Sequence, residues 1–319
     1  MGARYVGQVA MLTKPRRTLA AAAAVAVATL VFVSAAAGVR AGQGVGKVYR
    51  TDPDWSPDGK QVAFVDHSSS GGDLWVMSAD GSGLRKLTDS RPPPASQNHG
   101  ARQPDWSPDG KTIAFGYGYQ GISLIGANGS SLRAFVRGYS WASNWSPGGK
   151  WIAYAAGEDE LDGTSIYVKS PDGSKRRLVA RRPCCEYSYS DPTWSPDGER
   201  IAFTVGPATP DSSGNAETYL AVVDRFRGPI TRLTSGRYPA TPDWSGDGRK
   251  IVFADWSRIG GSPVIVVLTL RTGATKALGK GWAPSWSPDD RRIAFSRGGR
   301  IWVMRSDGSQ ARALTPRKG

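Results

Sequence analysis

Cysteine and histidine are scarce in this chain of 319 residues, and their scarcity excludes several kinds of site. The only two cysteines, Cys184 and Cys185, are adjacent, so they lack the spacing of zinc sites and of C-x-x-C redox motifs. A vicinal disulfide, two free thiols and pairing between chains all remain open for them. The only histidines, His67 and His99, fall in predicted loops, where an exposed and non-catalytic side chain is the usual outcome.

Acidic residues are absent from the first 42 positions. Basic residues at 4, 14, 16 and 17 precede an apolar stretch from Leu19 to Ala37, which is the layout of a secretory signal. Val39-Arg40-Ala41 places small residues where signal peptidase requires them. Because the apolar stretch is nearly long enough to span a bilayer, residues 18–38 are alternatively an uncleaved membrane anchor. The sequence therefore predicts a periplasmic or extracellular protein.

The net charge of the chain is +14, and the part after residue 41 keeps +9. Outside the cytoplasm, this charge favours acidic wall polymers or anionic headgroups as long-range partners. The basic residues are scattered along the chain rather than clustered, which argues against nucleic acid as a partner. Most of them are expected to be ordinary solvated positions on strands and turns.

The pattern of a long amphipathic helix is missing after residue 50, and a repeat stands in its place. A segment of the form Pro-x-Trp-Ser-Pro-Asp-Gly recurs roughly every 40 to 50 residues. Its six copies centre on Trp55, Trp106, Trp145, Trp194, Trp244 and Trp286. The copies at Trp145, Trp244 and Trp286 depart from the pattern in the turn, at Gly148, Gly246 and Asp290. Such a period predicts an array of units that bury their apolar faces against one another.

Each copy contains four short strands. A Pro-Asp-Gly turn leads to an apolar run such as Val62-Ala63-Phe64, and a second run such as Leu74-Trp75-Val76 follows. Another turn, Asp80-Gly81 in the first copy, leads to Leu87-Thr88. Short runs joined by Asp-Gly turns are typical of β-hairpins. Four strands repeated six times predict an all-β fold, a six-bladed β-propeller of four-stranded antiparallel blades preceded by a signal or anchor helix.

The repeat resembles that of the TolB-type β-propellers, whose units read much like Pro-Asp-Trp-Ser-Pro-Asp-Gly-Lys, Ile-Ala-Phe, Ile-Trp-Val, Asp-Gly and Arg-Leu-Thr. The resemblance covers all six copies and concerns turn and core residues. It implies an envelope protein that contacts a lipoprotein, although the additional N-terminal domain of that family has no counterpart between the signal and the first blade. The predicted organisation is a signal or anchor at 1–41, a linker or closing strand at 42–51, the propeller at 52–315 and a tail at 316–319.

Signatures of catalysis are missing from the sequence. It has no G-x-S-x-G elbow, and no α/β domain is expected after the last blade, so it does not match the prolyl-oligopeptidase-type enzymes. It also lacks H-E-x-x-H. Because a propeller alone does not specify a function, the site has to be sought among individual residues.

Oxygen-bearing side chains precede the repeat tryptophans, and they would form a ring round the central channel. They are Asp54, Asp105, Asn144, Thr193, Asp243 and Ser285. Such oxygens suit Ca²⁺, which makes Asp54, Asp105 and Asp243 the metal candidates; no other cofactor is predicted. The alternative, which we favour, is that they cap the hairpin entrances by hydrogen-bonding nearby backbone. The acidic loop at 158–163 is a second cation candidate without EF-hand spacing.

Loop lengths indicate the working surface. One set of turns is uniformly short, whereas the other connections vary widely and share the opposite face, where functional residues concentrate. Aromatic residues there would stack on sugars, grip a peptide or pack between blades. With two carboxylates, the predicted binding residues at the channel mouth are His99, Asp105, Trp141, Tyr187, Tyr189, Tyr238, Asp243 and Trp282.

Two functions from different classes follow from these observations. The favoured one is an exported, non-catalytic, monomeric recognition or scaffold propeller that binds a protein or an envelope polymer through its variable-loop face. The alternative is a carbohydrate-active hydrolase or lyase that uses carboxylates at the channel mouth, with or without Ca²⁺. Membrane contact is expected only through an uncleaved N-terminal segment.

Overall fold

The computed structural model describes residues 49–67, 72–89, 100–117, 121–157, 163–182, 187–207, 217–224, 228–257 and 261–316. The predicted signal or anchor, His99, the two cysteines and positions 158–162 of the acidic loop lie outside these residues. Within them there is no helix, and therefore no helix that could span a membrane.

The described residues form six separate four-stranded antiparallel sheets, which confirms the predicted six-bladed propeller. Each sheet uses four consecutive strands. The first three blades are β1 (Arg50–Trp55), β2 (Gln61–Asp66), β3 (Asp73–Ser78) and β4 (Arg85–Lys86); β5 (Ala101–Trp106), β6 (Thr112–Tyr117), β7 (Ile122–Gly126) and β8 (Arg133–Val136); and β9 (Ser140–Trp145), β10 (Ile152–Ala156), β11 (Ser165–Lys169) and β12 (Arg176–Ala180).

The other three blades follow the same order along the chain. They are β13 (Tyr187–Trp194), β14 (Arg200–Pro207), β15 (Tyr219–Asp224) and β16 (Thr231–Arg232); β17 (Pro239–Trp244), β18 (Lys250–Asp255), β19 (Val264–Thr269) and β20 (Ala274–Lys280); and β21 (Trp282–Trp286), β22 (Arg292–Arg297), β23 (Arg300–Arg305) and β24 (Arg312–Ala313). The first strand of each blade is the innermost one.

The Trp-Ser-Pro-Asp-Gly segment forms the hairpin turn between the first two strands of a blade. In blade 1, Asp58 Oδ1 accepts hydrogen bonds from Ser56 Oγ (2.7 Å) and from Lys60 N (3.0 Å). Gln61 N donates in turn to Ser56 Oγ at 2.9 Å. Because the serine and aspartate side chains satisfy the backbone of the turn, they recur as turn residues and are not free for chemistry.

The hydrophobic core is divided into six clusters, one between each pair of neighbouring blades. Trp106, for example, packs with Val65 and Val76 of blade 1 and with Phe115 of its own blade. Five of the six repeat tryptophans are buried, whereas Trp145 is partly buried. The core therefore lies between blades, and no blade can bury its apolar surface alone.

The ring closes between blades 6 and 1 without exchange of a strand. One cluster joins Trp55 and Phe64 to Ile301 of blade 6. Arg50 N donates to Gly299 O at 3.1 Å, and the Arg292 guanidinium lies 4.6 Å from the centre of the Trp55 ring. Residues 49–316 therefore contain every contact that closes the propeller.

The turns of neighbouring blades also contact each other, and two of the irregular copies of the repeat meet at one of these contacts. At the other interfaces the turn glycine packs on the turn proline of the preceding blade, as Gly59 does on Pro288. Between blades 5 and 6, Asp290 faces Gly246 instead, and its carboxylate accepts from Gly246 N (2.6 Å) and Asp247 N (2.9 Å). Since proline has no N–H to donate, the substitution at 246 makes the bond to Asp290 available.

The propeller has two unlike faces, to which we give names. The turn face carries the connections between first and second strands and between third and fourth strands, such as 56–60 and 79–84. The loop face carries the remaining connections, which include nearly all the segments outside the described residues. Each innermost strand starts at the loop face and ends at the turn face.

Candidate functional site

A regular distortion shapes the channel that the six innermost strands surround. Every one of these strands has a register shift in its pairing with the second strand, as between Thr51 and Asp54. At each shift the residue three places before the repeat tryptophan has a positive φ of 44–53°, although none of these residues is glycine. Bulges and strained non-glycine residues of this kind are frequent at functional sites.

Side chains on both sides of the bulge line the channel, whose volume is about 100 Å³. The ring nearer the loop face, which we call the upper ring, consists of Asp52, Gln103, Ala142, Asp191, Thr241 and Ala283. The lower ring consists of Asp54, Asp105, Asn144, Thr193, Asp243 and Ser285. Sequence analysis identified the lower ring but missed the upper one. Its sequence signal is the x-Pro-x-Trp pattern, in which the residue before the proline takes the strained conformation.

Carboxylates of the lower ring bind the backbone of the following blade. Asp54 Oδ2 accepts from Trp106 N at 2.9 Å, and Asp243 Oδ2 accepts from Trp286 N at 2.7 Å. Asp105 makes the same bond to blade 3. The favoured reading of these residues was correct in kind, because they do satisfy backbone groups, but the groups belong to the next blade rather than to their own hairpin.

The upper ring contains a hydrogen bond that crosses the channel. Gln103 Nε2 of blade 2 donates to Asp191 Oδ1 of blade 4 at 2.9 Å. Blade 3 contributes only Ala142 at this level, and this small side chain leaves room for the bond. The other oxygen of Asp191 lies 3.5 Å from Thr241 N, and Asp52 Oδ2 lies 3.4 Å from Gln103 N. The carboxylates of both rings thus hold adjacent blades together.

Five carboxyl groups crowd this channel, and burial raises the pKa of each of them. The pKa of Asp52 rises to about 6, that of Asp54 to about 7 and that of Asp243 to about 8. The pKa of Asp105 rises well above its ordinary value, first through burial and then through the nearby Asp54 carboxylate. The pKa of Asp191 is raised as well. Asp243, whose pKa is about 8, therefore holds a proton at neutral pH.

We expect Asp243→Asn to stabilise the protein at alkaline pH. The folded protein binds a proton on Asp243 up to about pH 8, whereas the model value for an exposed aspartate is 3.8, so this group makes stability fall as pH rises between those values. A one-unit difference in pKa corresponds to about 1.4 kcal/mol, and we expect a gain of at least that size at pH 9. Urea unfolding at pH 4 and pH 9 measures it.

The chain itself supports this substitution, because Asn144 occupies the equivalent position in blade 3. Its Oδ1 accepts from Trp194 N at 2.8 Å, so an amide can make the bond that links the blades. Asp58→Asn is the matched control, since hydrogen bonds from Ser56 and Lys60 lower the pKa of Asp58. That variant should lose stability at neutral pH and converge on the wild type in acid. Equal pH profiles for wild type and Asp243→Asn would contradict the expected protonation.

His67 lies at the channel mouth but does not belong to a catalytic triad. Its Nε2 is 3.0 Å from Thr51 Oγ1, which is also 3.2 Å from Asp52 Oδ2. In a triad the histidine lies between the hydroxyl and the carboxylate, whereas here the hydroxyl lies between the other two. Burial lowers the pKa of His67, and the nearby Arg102 lowers it further. The imidazole is therefore neutral at pH 7 and serves as a partner for the buried threonine.

The structure brings two of the predicted site residues into the channel, Asp105 and Asp243. Trp141 packs against the core between blades 3 and 4 and meets the Tyr139 ring edge-on at 4.6 Å. Trp282 is partly buried at the equivalent position of blade 6, where it pairs with Ser296. Because blades 3 and 6 are opposite in the ring, these two tryptophans flank the mouth from opposite sides.

The predicted tyrosines differ in exposure. Tyr189 is buried in the core cluster between blades 3 and 4 and lies against Phe203, with ring centres 5.0 Å apart. Tyr238 is partly buried, and its backbone carbonyl accepts from Trp256 N at 2.9 Å. Tyr187 is 37% exposed and is the only aromatic among the large exposed apolar residues of the described part. His99 lies outside the described residues.

Among the residues that the structure describes, no three acidic, histidine or cysteine side chains are grouped so that they could hold a metal ion. Asp54, Asp105 and Asp243 each bond to a different neighbouring blade. Calcium binding by these three carboxylates stays a prediction.

Comparison with known proteins gives short or partial matches in sequence. No family model matches the chain. The uncharacterized peptidase YuxL of Bacillus subtilis is 28% identical over 185 residues, which is 55% of this chain and 25% of that protein. The Tol-Pal system protein TolB of Anaeromyxobacter dehalogenans is 62% identical over 34 residues, or 11% of this chain and 8% of that one. The chain thus matches a quarter or less of the length of each of these relatives.

Comparison of structures matches almost the whole propeller. A putative TolB from Agrobacterium tumefaciens aligns with a TM-score of 0.58 at 19% identity, over 84% of this chain and 89% of that one. TolB from Acinetobacter baumannii gives 0.58 at 21% identity, over 87% and 65%. An oligogalacturonate lyase in complex with manganese gives 0.51 at 12% identity, over 84% and 91%. At such identities the likeness concerns the fold, and the fold is a TolB-like six-bladed propeller.

Proposed function

We propose that this protein is an exported, non-catalytic recognition propeller that binds a protein or an envelope polymer at its loop face. The observation that carries the proposal is the state of the channel carboxylates. Those of Asp54, Asp105 and Asp243 are bonded to the next blade, so they hold the ring together and are not presented to a substrate. This arrangement favours a rigid scaffold that displays its loops.

The size of the channel supports binding at its mouth rather than inside it. About 100 Å³ is well below the roughly 300–1,000 Å³ of pockets that enclose small molecules. The crossing bond between Gln103 and Asp191 also narrows the entrance. A partner would therefore contact the rim of the mouth. Arg102 is partly buried near this rim, where its positive charge acts on Asp52 and His67.

Export and the type of partner are part of the same proposal. The charged and apolar layout of residues 4–41 supports export. The short TolB match and the TolB-like fold favour an envelope protein, since the matching protein is named as a component of a Tol-Pal system. We propose a monomer, held to the membrane only where the N-terminal segment is not cleaved.

Recognition should depend on aromatic residues of the loop face that are not committed to the core. Tyr187→Ala and Trp282→Ala are each expected to weaken retention of an envelope partner by about 5-fold or more, the effect of losing an interface residue worth over 1 kcal/mol. The measurement is capture of envelope proteins and polymers on immobilised residues 42–319. Lys111→Ala on the turn face is the control, and thermal melting checks the fold. Loss of capture in the control but not in the loop-face variants would contradict the proposal.

A carbohydrate-active enzyme is the second candidate function. The observation in its favour is that Asp243 carries a proton at neutral pH, as a general acid must, and that burial raises the pKa of Asp105 as well. An oligogalacturonate lyase also shares the fold. Incubation with polygalacturonate in the presence and absence of Ca²⁺ tests this candidate. Turnover that disappears in Asp105→Asn, while the melting temperature is kept, would replace the recognition proposal by the enzymatic one.

A further inference from the structure

The positive charge of the propeller is concentrated at one edge. The hairpins between third and fourth strands contain ten basic and four acidic residues among those described. These hairpins span residues 78–85, 126–133, 169–177, 224–231, 269–276 and 305–312. We call this surface the outer turn rim. The inner turns of the same face, between first and second strands, carry eight basic and seven acidic residues, so their charges nearly cancel.

Exposed aliphatic side chains lie on the same rim. Leu84, Leu132 and Ile230 are three of the four large apolar residues that are exposed among those described, and Leu132 is 52% exposed. Each immediately precedes the fourth strand of its blade, next to or one residue from an arginine. Basic residues on outer strands protect sheet edges from pairing, but this role does not account for exposed leucines between them.

From this arrangement we propose that the outer turn rim, centred on blades 1 to 3, docks the propeller on an anionic phospholipid bilayer. Leu84 and Leu132 lie on adjacent blades, and blade 3 adds Lys175, Arg176 and Arg177, all exposed. Cations that attract anionic headgroups, combined with leucines that enter the interfacial layer, are the recognised combination for proteins that bind membranes from one side.

Two further observations favour a bilayer over a protein partner. The leucines project from turns rather than lining a pocket, whereas the energetic centre of a protein interface is usually an aromatic residue or arginine in a pocket. The Arg176 guanidinium lies 4.0 Å from the centre of the Tyr167 ring, and that of Arg177 lies 5.4 Å from the Trp151 ring. Tyrosine and tryptophan next to cations suit the headgroup region.

This inference is independent of the proposed loop-face function. Docking by the outer turn rim would direct the loop face away from the bilayer and leave the channel mouth free for a partner. It also differs from attachment by residues 18–38, because it uses the folded propeller alone.

The test is co-sedimentation of residues 42–319, which contain the whole closed ring, with vesicles of phosphatidylcholine and phosphatidylglycerol. Binding is expected with these vesicles but not with phosphatidylcholine alone. The double variant Lys175→Gln, Arg177→Gln should lower partitioning roughly 5-fold for each cation removed. Leu84→Ser, Leu132→Ser should lower it further at high salt, where apolar insertion dominates. The matched control is Arg137→Gln, Arg181→Gln, which removes two exposed cations from the loop face.

Several results would overturn the proposal. Equal binding to neutral vesicles, or loss of binding in the loop-face control alone, would remove the outer turn rim as the docking surface. Binding to soluble polyphosphate without binding to phosphatidylglycerol vesicles would make the ligand a free polyanion rather than a membrane. Melting curves that match the wild type exclude unfolding as the cause of a weak variant.

Discussion

Replacing Trp106 by alanine is expected to lower the free energy of unfolding by about 3–5 kcal/mol, the usual cost of truncating a large core aromatic. The indole is 7% exposed and fills the interface between blades 1 and 2, with Val65 and Val76 on one side and Phe115 on the other. Because the blades have no other means of burying this surface, the cavity would weaken the contact between the two sheets. Chemical denaturation followed by far-ultraviolet circular dichroism measures the loss.

Trp106→Phe separates the role of volume from that of the polar group. The indole N–H is buried and has no hydrogen-bond partner among the described residues, so phenylalanine removes no bond and leaves a smaller cavity. Its cost should be well below that of alanine. The backbone bond from Trp106 N to Asp54 is kept in both variants. Similar losses for the two variants, or an unchanged denaturation curve for alanine, would show that packing of the ring is not what holds this interface.

The fold could be predicted from the sequence because its determinants are local and repeated. Five of the six turns pair a serine with an aspartate two residues later, as in Ser56 and Asp58, and each interface depends on one tryptophan. Six copies of these signals specify strands, hairpins and their order.

Results

Sequence analysis

Cysteine and histidine are scarce in this chain of 319 residues, and their scarcity excludes several kinds of site. The only two cysteines, Cys184 and Cys185, are adjacent, so they lack the spacing of zinc sites and of C-x-x-C redox motifs. A vicinal disulfide, two free thiols and pairing between chains all remain open for them. The only histidines, His67 and His99, fall in predicted loops, where an exposed and non-catalytic side chain is the usual outcome.

Acidic residues are absent from the first 42 positions. Basic residues at 4, 14, 16 and 17 precede an apolar stretch from Leu19 to Ala37, which is the layout of a secretory signal. Val39-Arg40-Ala41 places small residues where signal peptidase requires them. Because the apolar stretch is nearly long enough to span a bilayer, residues 18–38 are alternatively an uncleaved anchor in the cytoplasmic membrane. The sequence therefore predicts an exported protein, periplasmic or extracellular.

The net charge of the chain is +14, and the part after residue 41 keeps +9. Outside the cytoplasm, this charge favours acidic wall polymers or anionic headgroups as long-range partners. The basic residues are scattered along the chain rather than clustered, which argues against nucleic acid as a partner. Most of them are expected to be ordinary solvated positions on strands and turns.

The pattern of a long amphipathic helix is missing after residue 50, and a repeat stands in its place. A segment of the form Pro-x-Trp-Ser-Pro-Asp-Gly recurs roughly every 40 to 50 residues. Its six copies centre on Trp55, Trp106, Trp145, Trp194, Trp244 and Trp286. Three copies depart from the pattern in the turn, at Gly148, Gly246 and Asp290. Such a period predicts an array of units that bury their apolar faces against one another.

Each copy contains four short strands. A Pro-Asp-Gly turn leads to an apolar run such as Val62-Ala63-Phe64, and a second run such as Leu74-Trp75-Val76 follows. Another turn, Asp80-Gly81 in the first copy, leads to Leu87-Thr88. Short runs joined by Asp-Gly turns are typical of β-hairpins. Four strands repeated six times predict an all-β fold, a six-bladed β-propeller of four-stranded antiparallel blades preceded by a signal or anchor helix.

The repeat resembles that of the TolB-type β-propellers, whose units read much like Pro-Asp-Trp-Ser-Pro-Asp-Gly-Lys, Ile-Ala-Phe, Ile-Trp-Val, Asp-Gly and Arg-Leu-Thr. The resemblance covers all six copies and concerns turn and core residues. It implies an envelope protein that contacts a lipoprotein, although the additional N-terminal domain of that family has no room between the signal and the first blade. The predicted organisation is a signal or anchor at 1–41, a linker or closing strand at 42–51, the propeller at 52–315 and a tail at 316–319.

Signatures of catalysis are missing from the sequence. It has no G-x-S-x-G elbow, and no α/β domain is expected after the last blade, so it does not match the prolyl-oligopeptidase-type enzymes. It also lacks H-E-x-x-H. Because a propeller alone does not specify a function, the site has to be sought among individual residues.

Oxygen-bearing side chains precede the repeat tryptophans, and they would form a ring round the central channel. They are Asp54, Asp105, Asn144, Thr193, Asp243 and Ser285. Such oxygens suit Ca²⁺, which makes Asp54, Asp105 and Asp243 the metal candidates; no other cofactor is predicted. The alternative, which we favour, is that these side chains cap the hairpin entrances by hydrogen-bonding nearby backbone. The acidic loop at 158–163 is a second cation candidate without EF-hand spacing.

Loop lengths indicate the working surface. One set of turns is uniformly short, whereas the other connections vary widely and share the opposite face, where functional residues concentrate. Aromatic residues there would stack on sugars, grip a peptide or pack between blades. The predicted binding residues at the channel mouth are these aromatic residues and two carboxylates, namely His99, Asp105, Trp141, Tyr187, Tyr189, Tyr238, Asp243 and Trp282.

Two functions from different classes follow from these observations. The favoured one is an exported, non-catalytic, monomeric recognition or scaffold propeller that binds a protein or an envelope polymer through its variable-loop face. The alternative is a carbohydrate-active hydrolase or lyase that uses carboxylates at the channel mouth, with or without Ca²⁺. Membrane contact is expected only through an uncleaved N-terminal segment.

Overall fold

The computed structural model describes residues 49–67, 72–89, 100–117, 121–157, 163–182, 187–207, 217–224, 228–257 and 261–316. The predicted signal or anchor, His99, the two cysteines and positions 158–162 of the acidic loop lie outside these residues. Within the described ranges there is no helix, and therefore no helix long and apolar enough to span a membrane.

The described residues form six separate four-stranded antiparallel sheets, which confirms the predicted six-bladed propeller. Each sheet uses four consecutive strands. The first three blades are β1 (Arg50–Trp55), β2 (Gln61–Asp66), β3 (Asp73–Ser78) and β4 (Arg85–Lys86); β5 (Ala101–Trp106), β6 (Thr112–Tyr117), β7 (Ile122–Gly126) and β8 (Arg133–Val136); and β9 (Ser140–Trp145), β10 (Ile152–Ala156), β11 (Ser165–Lys169) and β12 (Arg176–Ala180).

The other three blades follow the same order along the chain. They are β13 (Tyr187–Trp194), β14 (Arg200–Pro207), β15 (Tyr219–Asp224) and β16 (Thr231–Arg232); β17 (Pro239–Trp244), β18 (Lys250–Asp255), β19 (Val264–Thr269) and β20 (Ala274–Lys280); and β21 (Trp282–Trp286), β22 (Arg292–Arg297), β23 (Arg300–Arg305) and β24 (Arg312–Ala313). The first strand of each blade is the innermost one.

The Trp-Ser-Pro-Asp-Gly segment forms the hairpin turn between the first two strands of a blade. In blade 1, Asp58 Oδ1 accepts hydrogen bonds from Ser56 Oγ (2.7 Å) and from Lys60 N (3.0 Å). Gln61 N donates in turn to Ser56 Oγ at 2.9 Å. Because the serine and aspartate side chains satisfy the backbone of the turn, these residues have a structural role. Blade 3, with Gly148 in place of the aspartate, keeps the serine contact, in which Trp151 N donates to Ser146 Oγ at 3.0 Å.

The hydrophobic core is divided into six clusters, one between each pair of neighbouring blades. Trp106, for example, packs with Val65 and Val76 of blade 1 and with Phe115 of its own blade. Five of the six repeat tryptophans are buried, whereas Trp145 is partly buried. The core therefore lies between blades, and no blade can bury its apolar surface alone.

The ring closes between blades 6 and 1 without exchange of a strand. One cluster joins Trp55 and Phe64 to Ile301 of blade 6. Arg50 N donates to Gly299 O at 3.1 Å, and the Arg292 guanidinium lies 4.6 Å from the centre of the Trp55 ring. Residues 49–316 therefore contain the contacts that close the propeller.

The turns of neighbouring blades also contact each other, and two of the irregular copies of the repeat meet at one of these contacts. At the other interfaces the turn glycine packs on the turn proline of the preceding blade, as Gly59 does on Pro288. Between blades 5 and 6, Asp290 faces Gly246 instead, and its carboxylate accepts from Gly246 N (2.6 Å) and Asp247 N (2.9 Å). Since proline has no N–H to donate, the glycine at 246 makes the first of these bonds available.

The propeller has two unlike faces, to which we give names. The turn face carries the connections between first and second strands and between third and fourth strands, such as 56–60 and 79–84. The loop face carries the connections between second and third strands and those that lead to the next blade. Each innermost strand starts at the loop face and ends at the turn face.

Candidate functional site

A regular distortion shapes the channel that the six innermost strands surround. Every one of these strands has a register shift in its pairing with the second strand, as between Thr51 and Asp54. At each shift the residue three places before the repeat tryptophan has a positive φ of 44–53°, although none of these residues is glycine. Bulges and strained non-glycine residues of this kind are frequent at functional sites.

Side chains on both sides of the bulge line the channel, whose volume is about 100 Å³. The ring nearer the loop face, which we call the upper ring, consists of Asp52, Gln103, Ala142, Asp191, Thr241 and Ala283. The lower ring consists of Asp54, Asp105, Asn144, Thr193, Asp243 and Ser285. The repeat pattern predicted the lower ring but not the upper one. The sequence does mark the upper ring, because in five of the six copies its residue stands directly before the proline of Pro-x-Trp.

Carboxylates of the lower ring bind the backbone of the following blade. Asp54 Oδ2 accepts from Trp106 N at 2.9 Å, and Asp243 Oδ2 accepts from Trp286 N at 2.7 Å. Asp105 makes the same bond to blade 3. The favoured interpretation, that these side chains cap hairpin entrances by bonding nearby backbone, is right only in that the three aspartates accept backbone N–H groups. The bonded groups belong to the next blade, however, and not to the hairpin that follows in the same blade.

The upper ring contains a hydrogen bond that joins blades 2 and 4. Gln103 Nε2 donates to Asp191 Oδ1 at 2.9 Å. Blade 3 contributes only Ala142 at this level, and this small side chain leaves room for the bond. The other oxygen of Asp191 lies 3.5 Å from Thr241 N, and Asp52 Oδ2 lies 3.4 Å from Gln103 N. The carboxylates of both rings thus link one blade to another.

Five carboxyl groups crowd this channel, and burial raises the pKa of each of them. The pKa of Asp52 rises to about 6, that of Asp54 to about 7 and that of Asp243 to about 8. Burial raises the pKa of Asp105 well above its ordinary value, and the nearby Asp54 carboxylate raises it further. The pKa of Asp191 is raised as well. Asp243, whose pKa is about 8, therefore holds a proton at neutral pH.

We expect Asp243→Asn to stabilise the protein at alkaline pH. The pKa of Asp243 is about 8 in the folded protein, compared with 3.8 for an exposed aspartate. Between these two pH values folding takes up a proton, so the free energy of unfolding falls as the pH rises. A pKa difference of one unit corresponds to about 1.4 kcal/mol, and we expect a gain of at least that size at pH 9. At pH 4 the two proteins should be similar. Urea unfolding at both pH values measures the difference.

The chain itself supports this substitution, because Asn144 occupies the equivalent position in blade 3. Its Oδ1 accepts from Trp194 N at 2.8 Å, so an amide can make the bond that links the blades. Asp58→Asn is the matched control, since hydrogen bonds from Ser56 and Lys60 lower the pKa of Asp58. That variant should lose stability at neutral pH and converge on the wild type in acid. Identical pH profiles for the wild type and Asp243→Asn would contradict the expected protonation.

His67 lies at the channel mouth but does not belong to a catalytic triad. Its Nε2 is 3.0 Å from Thr51 Oγ1, which is also 3.2 Å from Asp52 Oδ2. In a triad the histidine lies between the hydroxyl and the carboxylate, whereas here the hydroxyl lies between the other two. Burial lowers the pKa of His67, and the nearby Arg102 lowers it further. The imidazole is therefore neutral at pH 7 and serves as a partner for the buried threonine.

The structure places two of the predicted site residues in the channel, Asp105 and Asp243. Trp141 packs against the core between blades 3 and 4 and meets the Tyr139 ring edge-on at 4.6 Å. Trp282 is partly buried at the equivalent position of blade 6, where its strand pairs it with Ser296. Because blades 3 and 6 are opposite in a ring of six, these two tryptophans lie on opposite sides of the mouth.

The predicted tyrosines differ in exposure. Tyr189 is buried in the core cluster between blades 3 and 4 and lies against Phe203, with ring centres 5.0 Å apart. Tyr238 is partly buried, and its backbone carbonyl accepts from Trp256 N at 2.9 Å. Tyr187 is 37% exposed and is the one aromatic among the large apolar residues that are exposed in the described part of the chain.

Among the residues that the structure describes, no three acidic, histidine or cysteine side chains are grouped so that they could hold a metal ion. Asp54, Asp105 and Asp243 each bond to a different neighbouring blade. Calcium binding by these three carboxylates stays a prediction.

Comparison with known proteins gives short or partial matches in sequence. No family model matches the chain. The uncharacterized peptidase YuxL of Bacillus subtilis is 28% identical over 185 residues, which is 55% of this chain and 25% of that protein. The Tol-Pal system protein TolB of Anaeromyxobacter dehalogenans is 62% identical over 34 residues, or 11% of this chain and 8% of that one. The matches thus span a quarter or less of the length of each of these relatives.

Comparison of structures matches almost the whole propeller. A putative TolB from Agrobacterium tumefaciens aligns with a TM-score of 0.58 at 19% identity, over 84% of this chain and 89% of that one. TolB from Acinetobacter baumannii gives 0.58 at 21% identity, over 87% and 65%. An oligogalacturonate lyase in complex with manganese gives 0.51 at 12% identity, over 84% and 91%. At such identities the likeness concerns the fold, and the fold is a TolB-like six-bladed propeller.

Proposed function

We propose that this protein is an exported, non-catalytic recognition propeller that binds a protein or an envelope polymer at its loop face. The observation that carries the proposal is the state of the channel carboxylates. Those of Asp54, Asp105 and Asp243 are bonded to the next blade, so they hold the ring together instead of facing a substrate. This arrangement favours a rigid scaffold that displays its loops.

The size of the channel supports binding at its mouth rather than inside it. About 100 Å³ is well below the roughly 300–1,000 Å³ of pockets that enclose small molecules. The bond between Gln103 and Asp191 also narrows the entrance. A partner would therefore contact the rim of the mouth. Arg102 is partly buried near this rim, where its positive charge acts on Asp52 and His67.

Export and the type of partner are part of the same proposal. The charged and apolar layout of residues 4–41 supports export. The short TolB match and the TolB-like fold favour an envelope protein, since the matching protein is named as part of a Tol-Pal system. We propose a monomer, held to the membrane by its N-terminal segment only where that segment is not cleaved.

Recognition should depend on aromatic residues of the loop face that are not part of a core cluster. Tyr187→Ala and Trp282→Ala are each expected to weaken retention of an envelope partner by about 5-fold or more, the effect of losing an interface residue worth over 1 kcal/mol. The measurement is capture of envelope proteins and polymers on immobilised residues 42–319. Lys111→Ala on the turn face is the control, and thermal melting checks the fold. Loss of capture in the control but not in the loop-face variants would contradict the proposal.

A carbohydrate-active enzyme is the second candidate function. The observation in its favour is that Asp243 carries a proton at neutral pH, as a general acid must, and that burial raises the pKa of Asp105 as well. An oligogalacturonate lyase also shares the fold. Incubation with polygalacturonate in the presence and absence of Ca²⁺ tests this candidate. Turnover that disappears in Asp105→Asn, while the melting temperature is kept, would replace the recognition proposal by the enzymatic one.

A further inference from the structure

The positive charge of the propeller is concentrated at one edge. The hairpins between third and fourth strands contain ten basic and four acidic residues among those described. These hairpins span residues 78–85, 126–133, 169–177, 224–231, 269–276 and 305–312. We call this surface the outer turn rim. The inner turns of the same face, between first and second strands, carry eight basic and seven acidic residues, so their charges nearly cancel.

Exposed aliphatic side chains lie on the same rim. Leu84, Leu132 and Ile230 are three of the four large apolar residues that are exposed among those described, and Leu132 is 52% exposed. Each immediately precedes the fourth strand of its blade, next to or one residue away from an arginine. Basic residues on outer strands protect sheet edges from pairing, but this role does not account for exposed leucines between them.

From this arrangement we propose that the outer turn rim, centred on blades 1 to 3, docks the propeller on an anionic phospholipid bilayer. Leu84 and Leu132 lie on adjacent blades, and blade 3 adds Lys175, Arg176 and Arg177, all exposed. Cations attract anionic headgroups, and leucines enter the interfacial layer. The two together are the usual combination on proteins that bind membranes from one side.

Two further observations favour a bilayer over a protein partner. The leucines project from turns, whereas the energetic centre of a protein interface is usually an aromatic residue or an arginine in a pocket. The Arg176 guanidinium lies 4.0 Å from the centre of the Tyr167 ring, and that of Arg177 lies 5.4 Å from the Trp151 ring. Tyrosine and tryptophan next to cations suit the headgroup region of a membrane.

This docking surface is independent of the proposed loop-face function. A propeller held by its outer turn rim would direct the loop face away from the bilayer and leave the channel mouth free for a partner. The contact also differs from attachment by residues 18–38, because it uses the folded propeller alone.

The test is co-sedimentation of residues 42–319, which contain the whole closed ring, with vesicles of phosphatidylcholine and phosphatidylglycerol. Binding is expected with these vesicles but not with phosphatidylcholine alone. The double variant Lys175→Gln, Arg177→Gln should lower partitioning roughly 5-fold for each cation removed. Leu84→Ser with Leu132→Ser should lower partitioning most clearly at high salt, where apolar insertion dominates.

The matched control removes two exposed cations from the loop face, Arg137→Gln and Arg181→Gln, and should bind like the wild type. Equal binding to neutral vesicles, or loss of binding in this control alone, would remove the outer turn rim as the docking surface. Binding to soluble polyphosphate without binding to phosphatidylglycerol vesicles would make the ligand a free polyanion and overturn the proposal. Melting curves that match the wild type exclude unfolding as the cause of weak binding in a variant.

Discussion

Replacing Trp106 by alanine is expected to lower the free energy of unfolding by about 3–5 kcal/mol, the usual cost of truncating a large core aromatic. The side chain is 7% exposed and fills the interface between blades 1 and 2, with Val65 and Val76 on one side and Phe115 on the other. Because each blade buries its apolar surface only against its neighbours, the cavity would weaken the contact between two sheets. Chemical denaturation followed by circular dichroism measures the loss.

Trp106→Phe separates the role of ring volume from that of the indole N–H. This group is buried and has no hydrogen-bond partner among the described residues, so phenylalanine removes no bond and leaves a smaller cavity. Its cost should be well below that of alanine. The backbone bond from Trp106 N to Asp54 is kept in both variants. Similar losses for the two variants, or an unchanged denaturation curve for alanine, would show that ring packing does not hold this interface.

The fold could be predicted from the sequence because its determinants are local and repeated. Five of the six turns pair a serine with an aspartate two residues later, as in Ser56 and Asp58, and each interface depends on one tryptophan. Six copies of these signals indicate the strands, their hairpins and their order. The distinction between the two faces follows as well, since short turns and variable loops alternate along a blade of four strands.

The channel could be predicted only in part, because its contacts join residues that are distant in sequence and unlike from blade to blade. The bond between Gln103 and Asp191 needs a small residue, Ala142, in the blade between them. Likewise, Asp290 and Gly246 each break the repeat, and only their contact shows that the two departures belong together. Pattern reading treats each copy separately, so it cannot detect contacts between side chains of different copies.

The consequence for function is that the carboxylates with the strongest resemblance to a catalytic or calcium site hold neighbouring blades together. Asp105 and Asp243 are buried close to other acids and have raised pKa values, and each accepts a backbone N–H of the next blade. Raised pKa values are typical of active sites, but structural networks produce them too. Here geometry separates the two cases, because the acceptor oxygens point to backbone groups that every copy of the fold must satisfy.

Replacing Gly81 by alanine is expected to open the ring between blades 1 and 6. A Cβ at this position would lie 2.3 Å from the carbonyl oxygen of Leu314, the residue that follows β24 of blade 6, and Gly81 has a φ of +97°. The left-handed conformation alone costs a residue other than glycine about 1–2 kcal/mol. The clash with a backbone oxygen adds about 1–3 kcal/mol, because that oxygen can move only with its sheet. Chemical denaturation measures the sum.

Gly173→Ala is the control that separates the clash from the backbone strain. Gly173 occupies the corresponding turn of blade 3 with a φ of +82°, but the nearest atoms to its Cβ would be the flexible end of Lys169, at 3.6 Å. Both variants therefore bear the cost of a positive φ, and only Gly81→Ala also displaces blade 6. Because no strand is exchanged between the first and last blades, this interface depends on packing and a few hydrogen bonds, and limited proteolysis should cleave Gly81→Ala faster than Gly173→Ala. Equal stability and equal proteolysis of the two variants would show that the turn of blade 1 does not contribute to closure of the ring.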